Sequence, residues 1–298
     1  MTPEQILACP ARVLTTEQRE LYFERGYLFC ERLISDEWVK SLHERTNDKL
    51  EASRGQTEST KFCDLAPEHS SASPKVRRFT DLDRDELFWR FANDAIADVA
   101  ADLLGPNVTF HHSKLNFKWP TSGESNAVGW HQDIPFYPHT NYNVLAIGTY
   151  LEDTTVEHGP LSVIPGSHEG KLYEHYDERD IWIGELNAAD AMTVEEHKAV
   201  SMPGPRGSIT VHHSRMLHGS RPSSATTMRP LLINAYAAGD AFPYTDGGTH
   251  GNPNYRRIVR GKPVRWAQHD PRPCPVPPDW TAGYPSIYEQ QAAVAEPS

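Results

Sequence analysis

Fifteen histidines stand in this chain of 298 residues. A histidine taken singly is more often a hydrogen-bonded structural or surface group than a ligand, so spacing has to separate the candidates. Two His-x-Asp triplets occur, His131-Gln132-Asp133 and His175-Tyr176-Asp177. Residues i and i+2 of an extended segment point to one face, so either triplet can present an imidazole and a carboxylate to the same ion. The second lies in a run crowded with charge and lacking a flanking strand pattern, and reads as a solvated loop or helix. The first follows Gly129-Trp130 and precedes Ile134-Pro135-Phe136-Tyr137, an aromatic neighbourhood able to wall a pocket and exclude water. A third ligand must come from elsewhere. Far downstream Gly207 to His213 reads as a strand, Met216-Leu217-His218-Gly219-Ser220 follows, and Arg229 stands eleven residues beyond His218.

Two imidazoles and one carboxylate make the facial triad that holds non-haem Fe(II) and leaves neighbouring positions open. Such a centre can bind a 2-oxo acid through its keto and carboxylate oxygens and still admit O2, and its oxidative decarboxylation would supply an oxidant able to take hydrogen from a bound substrate. The far carboxylate of 2-oxoglutarate needs an anchor, and the planar fork of an arginine binds a carboxylate through two charge-assisted hydrogen bonds. Arg229 opens a strand pattern, Leu231 to Ala237, that would bring it beside His218.

The elements that must position these groups divide the chain. The first hundred residues read as helices around one short strand at Tyr27 to Phe29. Thr15 and Gln18 have capping-box spacing, Ser35 caps a second helix, and Asp85 opens a third that Gly105-Pro106 stops. The polar stretch Arg54 to Ser73 reads as a loop. After Pro106 short β-type runs separated by turn residues indicate a sandwich or barrel rather than alternating βα units. They are Val108 to Trp119, Val144 to Leu151, Leu161 to Ile164, Ser208 to His213 and Leu231 to Ala237. A charged insert from Lys171 to Val200 is a candidate helix or lid. Nine of the 54 residues from Thr245 to Ser298 are proline, so this tail is expected to wrap over a domain without building a core of its own. The expectation is one domain over 1–298, with a mostly helical layer at 1–106, a jelly-roll-type β core at 107–240 interrupted by an insert at 171–200, and a Pro-rich extension at 241–298.

Composition removes several function classes. Twenty-nine basic against 40 acidic residues give a formal charge of −11, a field that repels phosphate backbones, so no nucleic-acid partner is expected. No apolar run approaches the roughly 18 residues of a membrane helix. The N-terminus carries no secretory pattern, and the four cysteines are scattered without a C-x-x-C pair. Reduced thiols and a cytoplasmic location are the expectation.

Four ordered motifs resemble the phytanoyl-CoA dioxygenase family, which also includes ectoine hydroxylase. They are Trp130-His131-Gln132-Asp133, Glu157 through His168, Gly207 through Ser220, and Arg229. The resemblance covers about residues 108 to 240 with a weaker helical N-terminus. It implies a mainly β fold with α elements, a double-stranded β-helix (a cupin-like jelly roll) flanked by N-terminal helices. It further implies Fe(II) on His131, Asp133 and His218, with Arg229 and Ser220 on 2-oxoglutarate. Lys114 and Asn116 match a preceding family strand whose polar side chains face the co-substrate. His212 and His213 compete with His218 for the distal ligand position, and the Gly219-Ser220 sequel and the spacing to Arg229 favour His218. His168 belongs to a Pro-Gly-Ser-His turn and reads as structural. Halogenating relatives replace the carboxylate by a small residue, whereas this chain keeps Asp133, which favours hydroxylation or another outcome such as desaturation.

For a substrate, Phe136, Tyr137 and His139 after the metal motif and Arg221 after Ser220 are candidates to line the open side. The implied activity is hydroxylation of a small organic molecule with O2 as oxidant and succinate and CO2 as products. Its alternatives are a jelly-roll metalloprotein with another metal or no 2-oxo acid, and a non-catalytic module that binds 2-oxoglutarate or a metal. Arg229 speaks against the first, the complete triad and anchor against the second.

Overall fold

The helices begin where side chains satisfy their first amides. In the computed structural model, which describes residues 1–120, 126–245 and 251–280 together with 287, 288, 290 and 291, Thr2 and Gln5 form a capping box before α1 (Pro3–Leu7). Thr15 and Gln18 do the same before α2 (Thr16–Arg25). The second helix ends at Gly26 in the left-handed region, φ +79°, and the chain turns into β1 (Tyr27–Cys30). Ser35 accepts from the Trp38 amide and starts α3 (Asp36–Ala52).

The expected loop at 54–73 contains β2 (Cys63–Leu65), and β3 (Val76–Thr80) follows. Both pair into the large sheet, so the N-terminal third, whose elements are mostly helical, also lends short strands to it. Three-residue pairings carry too little alternation to be seen in a polar stretch. The helical pattern from Asp85 also divides, into α4 (Glu86–Arg90), a π turn at Phe91–Ala95 and α5 (Ala97–Leu104). In that wide turn the Ala92 carbonyl accepts from the Tyr236 hydroxyl at 2.6 Å, which fastens the helices to the sheet.

The remaining elements are β4 (Val108–Lys118), β5 (Val128–His131), β6 (Val144–Tyr150), β7 (Ser162–Val163), α6 (Ala188–Ala191), β8 (Val200–Ser201), β9 (Ile209–His213), β10 (His218–Ser220), β11 (Arg229–Ala238) and β12 (Ile258–Arg260). Two antiparallel sheets result. The larger has the order β1-β9-β6-β11-β4-β3-β2, with β12 also on β4, and the smaller β5-β10-β7-β8. This is the jelly roll, with the helices packed on the outer face of the large sheet. Five expected strand runs correspond to β4, β6, β7, β9 and β11, and the short β5 and β10 had no separate signal. The tail does more than wrap: β12 extends the sheet, and Val259 and Trp280 are buried in the main core.

Gly26 links this frame to the site. A β-carbon there would stand 2.3 Å from Met216 Cε and 2.4 Å from His168 Nδ1, and the Met216 carbonyl orients His218. Gly26→Ala therefore combines left-handed strain with overpacking, an expected loss of about 2–3 kcal/mol. Urea denaturation checks this, and an unchanged midpoint would contradict it.

Candidate active site

Alternation places one face of the large sheet toward a single pocket. From β4 come His112, Lys114 and Asn116, from β6 Ala146 and Gly148, from β9 Thr210 and His212, and from β11 Arg229, Leu231 and Ile233. Every one is two residues from the next on its strand, as the two-residue period requires. Antiparallel register sets Leu231 opposite Asn116 and Ile233 opposite Lys114. The smaller sheet closes the far side with Val128, His131, His218, Gly219 and Ser220.

His131 and His218 face each other in register across β5 and β10, with ring centroids 4.0 Å apart. Asp133 follows β5 in a bend. Among the described residues these three form the one group whose ligand atoms all lie within 4.8 Å of one another, and all three are buried. The Nδ1–H of His131 donates to the Gly129 carbonyl (2.8 Å), and that of His218 to the Met216 carbonyl (2.9 Å). Each bond fixes the tautomer and turns the Nε2 lone pair inward, the arrangement seen at metal-bound histidines. Burial drives His131 down to about 4 and His218 well below the usual imidazole range, so both rings are neutral at pH 7. For Asp133 burial acts upward, and His218, His212 and Lys114 outweigh it, holding the carboxyl well below its ordinary value. Two neutral imidazoles and a carboxylate suit a divalent ion with open positions.

At the other end of the pocket Arg229 is 4% exposed, and its Nε and Nη1 have no hydrogen-bond partner among the described residues. Burial works against its charge, and the groups that favour that charge are the phenols of Tyr150 and Tyr288, not a carboxylate. A buried guanidinium left this way is costly unless a ligand completes it, and a carboxylate matches its fork. Asn116 Oδ1 is likewise buried and unpartnered, and Ser220 lines the wall between the two ends.

The other expected residues divide. Tyr137 lines the pocket. Phe136 lies behind His131, edge-on at 5.8 Å, and packs on His175 and the indoles of Trp182 and Trp280. His139 is turned away, its Nδ1–H donating to the Tyr137 carbonyl and its ring beside His111. Arg221 is exposed, and its backbone carbonyl accepts from Lys118. Of the two rival histidines, His213 faces the opposite side of β9 toward His168, while His212 lies within the pocket.

The second triplet needs correction. His175 is fully buried: its Nε2 accepts from the Gln132 amide at 3.3 Å, and its ring packs on Phe136 and Trp182. Sequence charge around it belongs to the exposed neighbours, and Asp177 instead caps its own turn through the amides of Arg179 and Ile181. No residue of the insert is among those that line the pocket. Its Leu186 amide bonds the Trp130 carbonyl, and Trp130 Nε1–H donates to Glu196, so it braces the strand that carries His131. Ile287 and Tyr288 of the tail, which the sequence did not single out, line the pocket instead. Gln132 was also missed: it points away from the pocket, donating to the Lys171 and Arg215 carbonyls and accepting from the Tyr173 amide. Only its position between two ligand candidates hinted at such a role.

A family model described as phytanoyl-CoA dioxygenase (PhyH) matches residues 22–230. The chain is 32% identical to a probable alpha-ketoglutarate-dependent hypophosphite dioxygenase of Stutzerimonas stutzeri, over 94% of this chain and 98% of the relative. It is 26% identical to the peroxisomal phytanoyl-CoA dioxygenase of Homo sapiens, over 84% of this chain and 75% of the relative. Among solved structures, the apoform of EctD from S. alaskensis superposes with a TM-score of 0.65 at 22% identity, covering 90% of this chain and 89% of the other. That last likeness is one of fold.

Lys118 stands in register with Arg229 and is 1% exposed. Burial, and then the neighbouring guanidinium, lower its ammonium to about 6. The unfolded chain keeps this proton to about pH 10.4, so between the two values it binds one proton more than the folded chain, and stability rises with pH. Lys118→Met removes that contribution. Urea titrations between pH 6.5 and 8.5 should show the wild type gaining up to about 1.4 kcal/mol per pH unit more than the variant; parallel slopes would contradict a neutral Lys118.

Proposed function

The chain belongs to the phytanoyl-CoA dioxygenase family, and we propose that its His131, Asp133 and His218 hold Fe(II) while Arg229, aided by Ser220 and Asn116, holds 2-oxoglutarate. It is a 2-oxoglutarate-dependent non-haem iron dioxygenase acting on a small molecule. The observation that carries the residue assignment is the pairing of a three-donor cluster at one end of the pocket with an uncompensated buried arginine at the other. With iron bound, the centre supplies O2 activation coupled to decarboxylation of 2-oxoglutarate to succinate and CO2, with hydroxylation of the substrate. The protein's share is to fix the ligand tautomers through two backbone carbonyls, keep Asp133 ionised, and grip the distal carboxylate with Arg229.

Lys114 separates the substrate classes. It lines the pocket, no hydrogen bond or ion pair holds its ammonium among the described residues, and Asp133 is its principal attractive charge. Its cation is read as facing the donor cluster, which suits a substrate anion better than the co-substrate role expected from the sequence. The 32% identical relative is described as acting on hypophosphite, so the proposed substrate is a small anion with an oxidisable P–H or C–H bond, hypophosphite being the first to try. Of the aromatic candidates, Tyr137 is retained as a wall of the substrate space. One large sheet with strands from residue 27 to residue 260 supports a single oxygenase domain, and four free thiols support a cytoplasmic location. No helix among the described residues is long and apolar enough to cross a membrane.

Anaerobic addition of Fe(II) and 2-oxoglutarate to the metal-free protein should produce the weak visible band of a chelated 2-oxo acid. Arg229→Ala should weaken 2-oxoglutarate roughly 10- to 100-fold, the loss of a charged hydrogen bond, with little change in iron affinity. Asp133→Ala should abolish turnover; full activity without added chloride would remove it from the ligand set. With hypophosphite, succinate release above the substrate-free rate is expected. Lys114→Gln should raise KM for that anion about tenfold or more and leave 2-oxoglutarate affinity in place. A 2-oxoglutarate defect without a substrate defect would return Lys114 to the co-substrate.

A further inference from the structure

His212 stands beside Asp133 without belonging to the donor cluster. Its Nε2 lies 3.0 Å from Asp133 Oδ2, whereas Oδ1 is the oxygen that faces His218 Nε2, at 3.8 Å. The two carboxylate oxygens thus have different neighbours. A hydrogen bond to a carboxylate requires a proton on the ring nitrogen, so His212 carries its proton on Nε2. Its Nδ1 is buried and without a hydrogen-bond partner among the described residues. His131 and His218 hold the reverse tautomer, because backbone carbonyls accept from their Nδ1–H groups. Although the His212 and His218 rings are only 4.3 Å apart, one offers a proton and the other a lone pair. The neighbour of His212 in register on β6 is Ala146, whose short side chain leaves the imidazole room on this face.

We propose that His212 is a positioning residue that engages Oδ2 of Asp133 and leaves Oδ1 alone for the ion. Carboxylates bind ions through one oxygen or through both, and a two-oxygen mode would consume a position that the co-substrate or O2 requires. The inference rests on the iron and 2-oxoglutarate reading above. Its content is separate: His212 acts through Asp133 and is not itself a ligand.

The test uses Co(II) in place of iron under anaerobic conditions, so no turnover is involved. Visible d–d spectra and 2-oxoglutarate titrations are compared for wild type, His212→Leu, which removes the donor, and His212→Gln, which keeps an N–H of similar reach. His212→Leu should still bind Co(II) but show an altered spectrum and about tenfold weaker 2-oxoglutarate, and His212→Gln should restore both toward wild type. Should the leucine variant fail to fold by circular dichroism, His212→Asn, polar but too short to reach Oδ2, carries the same expectation. A donorless variant with wild-type spectrum and 2-oxoglutarate affinity would overturn the proposal. So would a folded variant that no longer binds Co(II), since His212 would then be a ligand. Failure of the wild type itself to bind Co(II) and 2-oxoglutarate would instead overturn the parent reading, and the inference with it.

Discussion

Ten pocket residues alternate along four adjacent strands, and the pairing register that keeps them in phase is the constraint on which the site depends. Both faces of the large sheet are covered, one by helices and the other by the smaller sheet. A slip of one residue on β4 would bring Leu115 and Phe117 into the pocket and drive Lys114 and Asn116 into the apolar core, a penalty that specifies register strongly. The phase ends where it is no longer needed. Between Ala235 and Tyr236 the β4–β11 pairing skips one residue of β4, with Ala235 opposite His112 and Tyr236 opposite Phe110. Beyond that bulge Phe110 and Tyr236 turn to the helical side, where Trp89 packs on Phe110 and the Ala92 carbonyl receives the Tyr236 hydroxyl.

On that frame the pocket concentrates charge that the fold leaves incomplete. Asp133 is compensated by imidazoles and Lys114, while among the described residues the charge of Arg229 is supported by phenols and not by a carboxylate. Lys118, adjacent to Arg229, avoids a second buried charge by giving up its proton and directing its nitrogen to the Arg221 carbonyl. The outcome is an arginine cation at one end and a carboxylate flanked by Lys114 at the other. Donors fixed in advance need no reorganisation when a ligand arrives, and the folded state carries the cost of Arg229 until then.

Much of this was legible in the residues. The first His-x-Asp triplet, the Gly207 to Ser220 run and Arg229 pointed to residues that line one pocket, and the long strands β4, β6 and β11 stood out as β-type runs between turn residues. What remained hidden depended on length or on distant partners. β5 and β10 span four and three residues, too few for a period to register, although they hold His131 and His218. His175 looked solvated because its own neighbours are charged. Its burial comes from Phe136, nearly forty positions earlier, and from Trp182 across a turn. Ile287 and Tyr288 reach the pocket only through the whole path of the tail, which no local pattern encodes.

The choice among His212, His213 and His218 shows how far alternation goes and where it stops. A two-residue period separates His212 from His213, sending the latter to the His168 side. It cannot separate His212 from His218, because the turn after β9 returns the chain to the pocket on a different strand of a different sheet. Hydrogen bonding decides there. Met216 lies two residues before His218, as Gly129 does before His131, and in each case its carbonyl takes the Nδ1 proton. His212 has no such carbonyl: its contact is the carboxylate itself. A histidine whose proton is claimed by the backbone two residues earlier is free to offer Nε2 to an ion, and one whose Nε2 already serves a carboxylate is not.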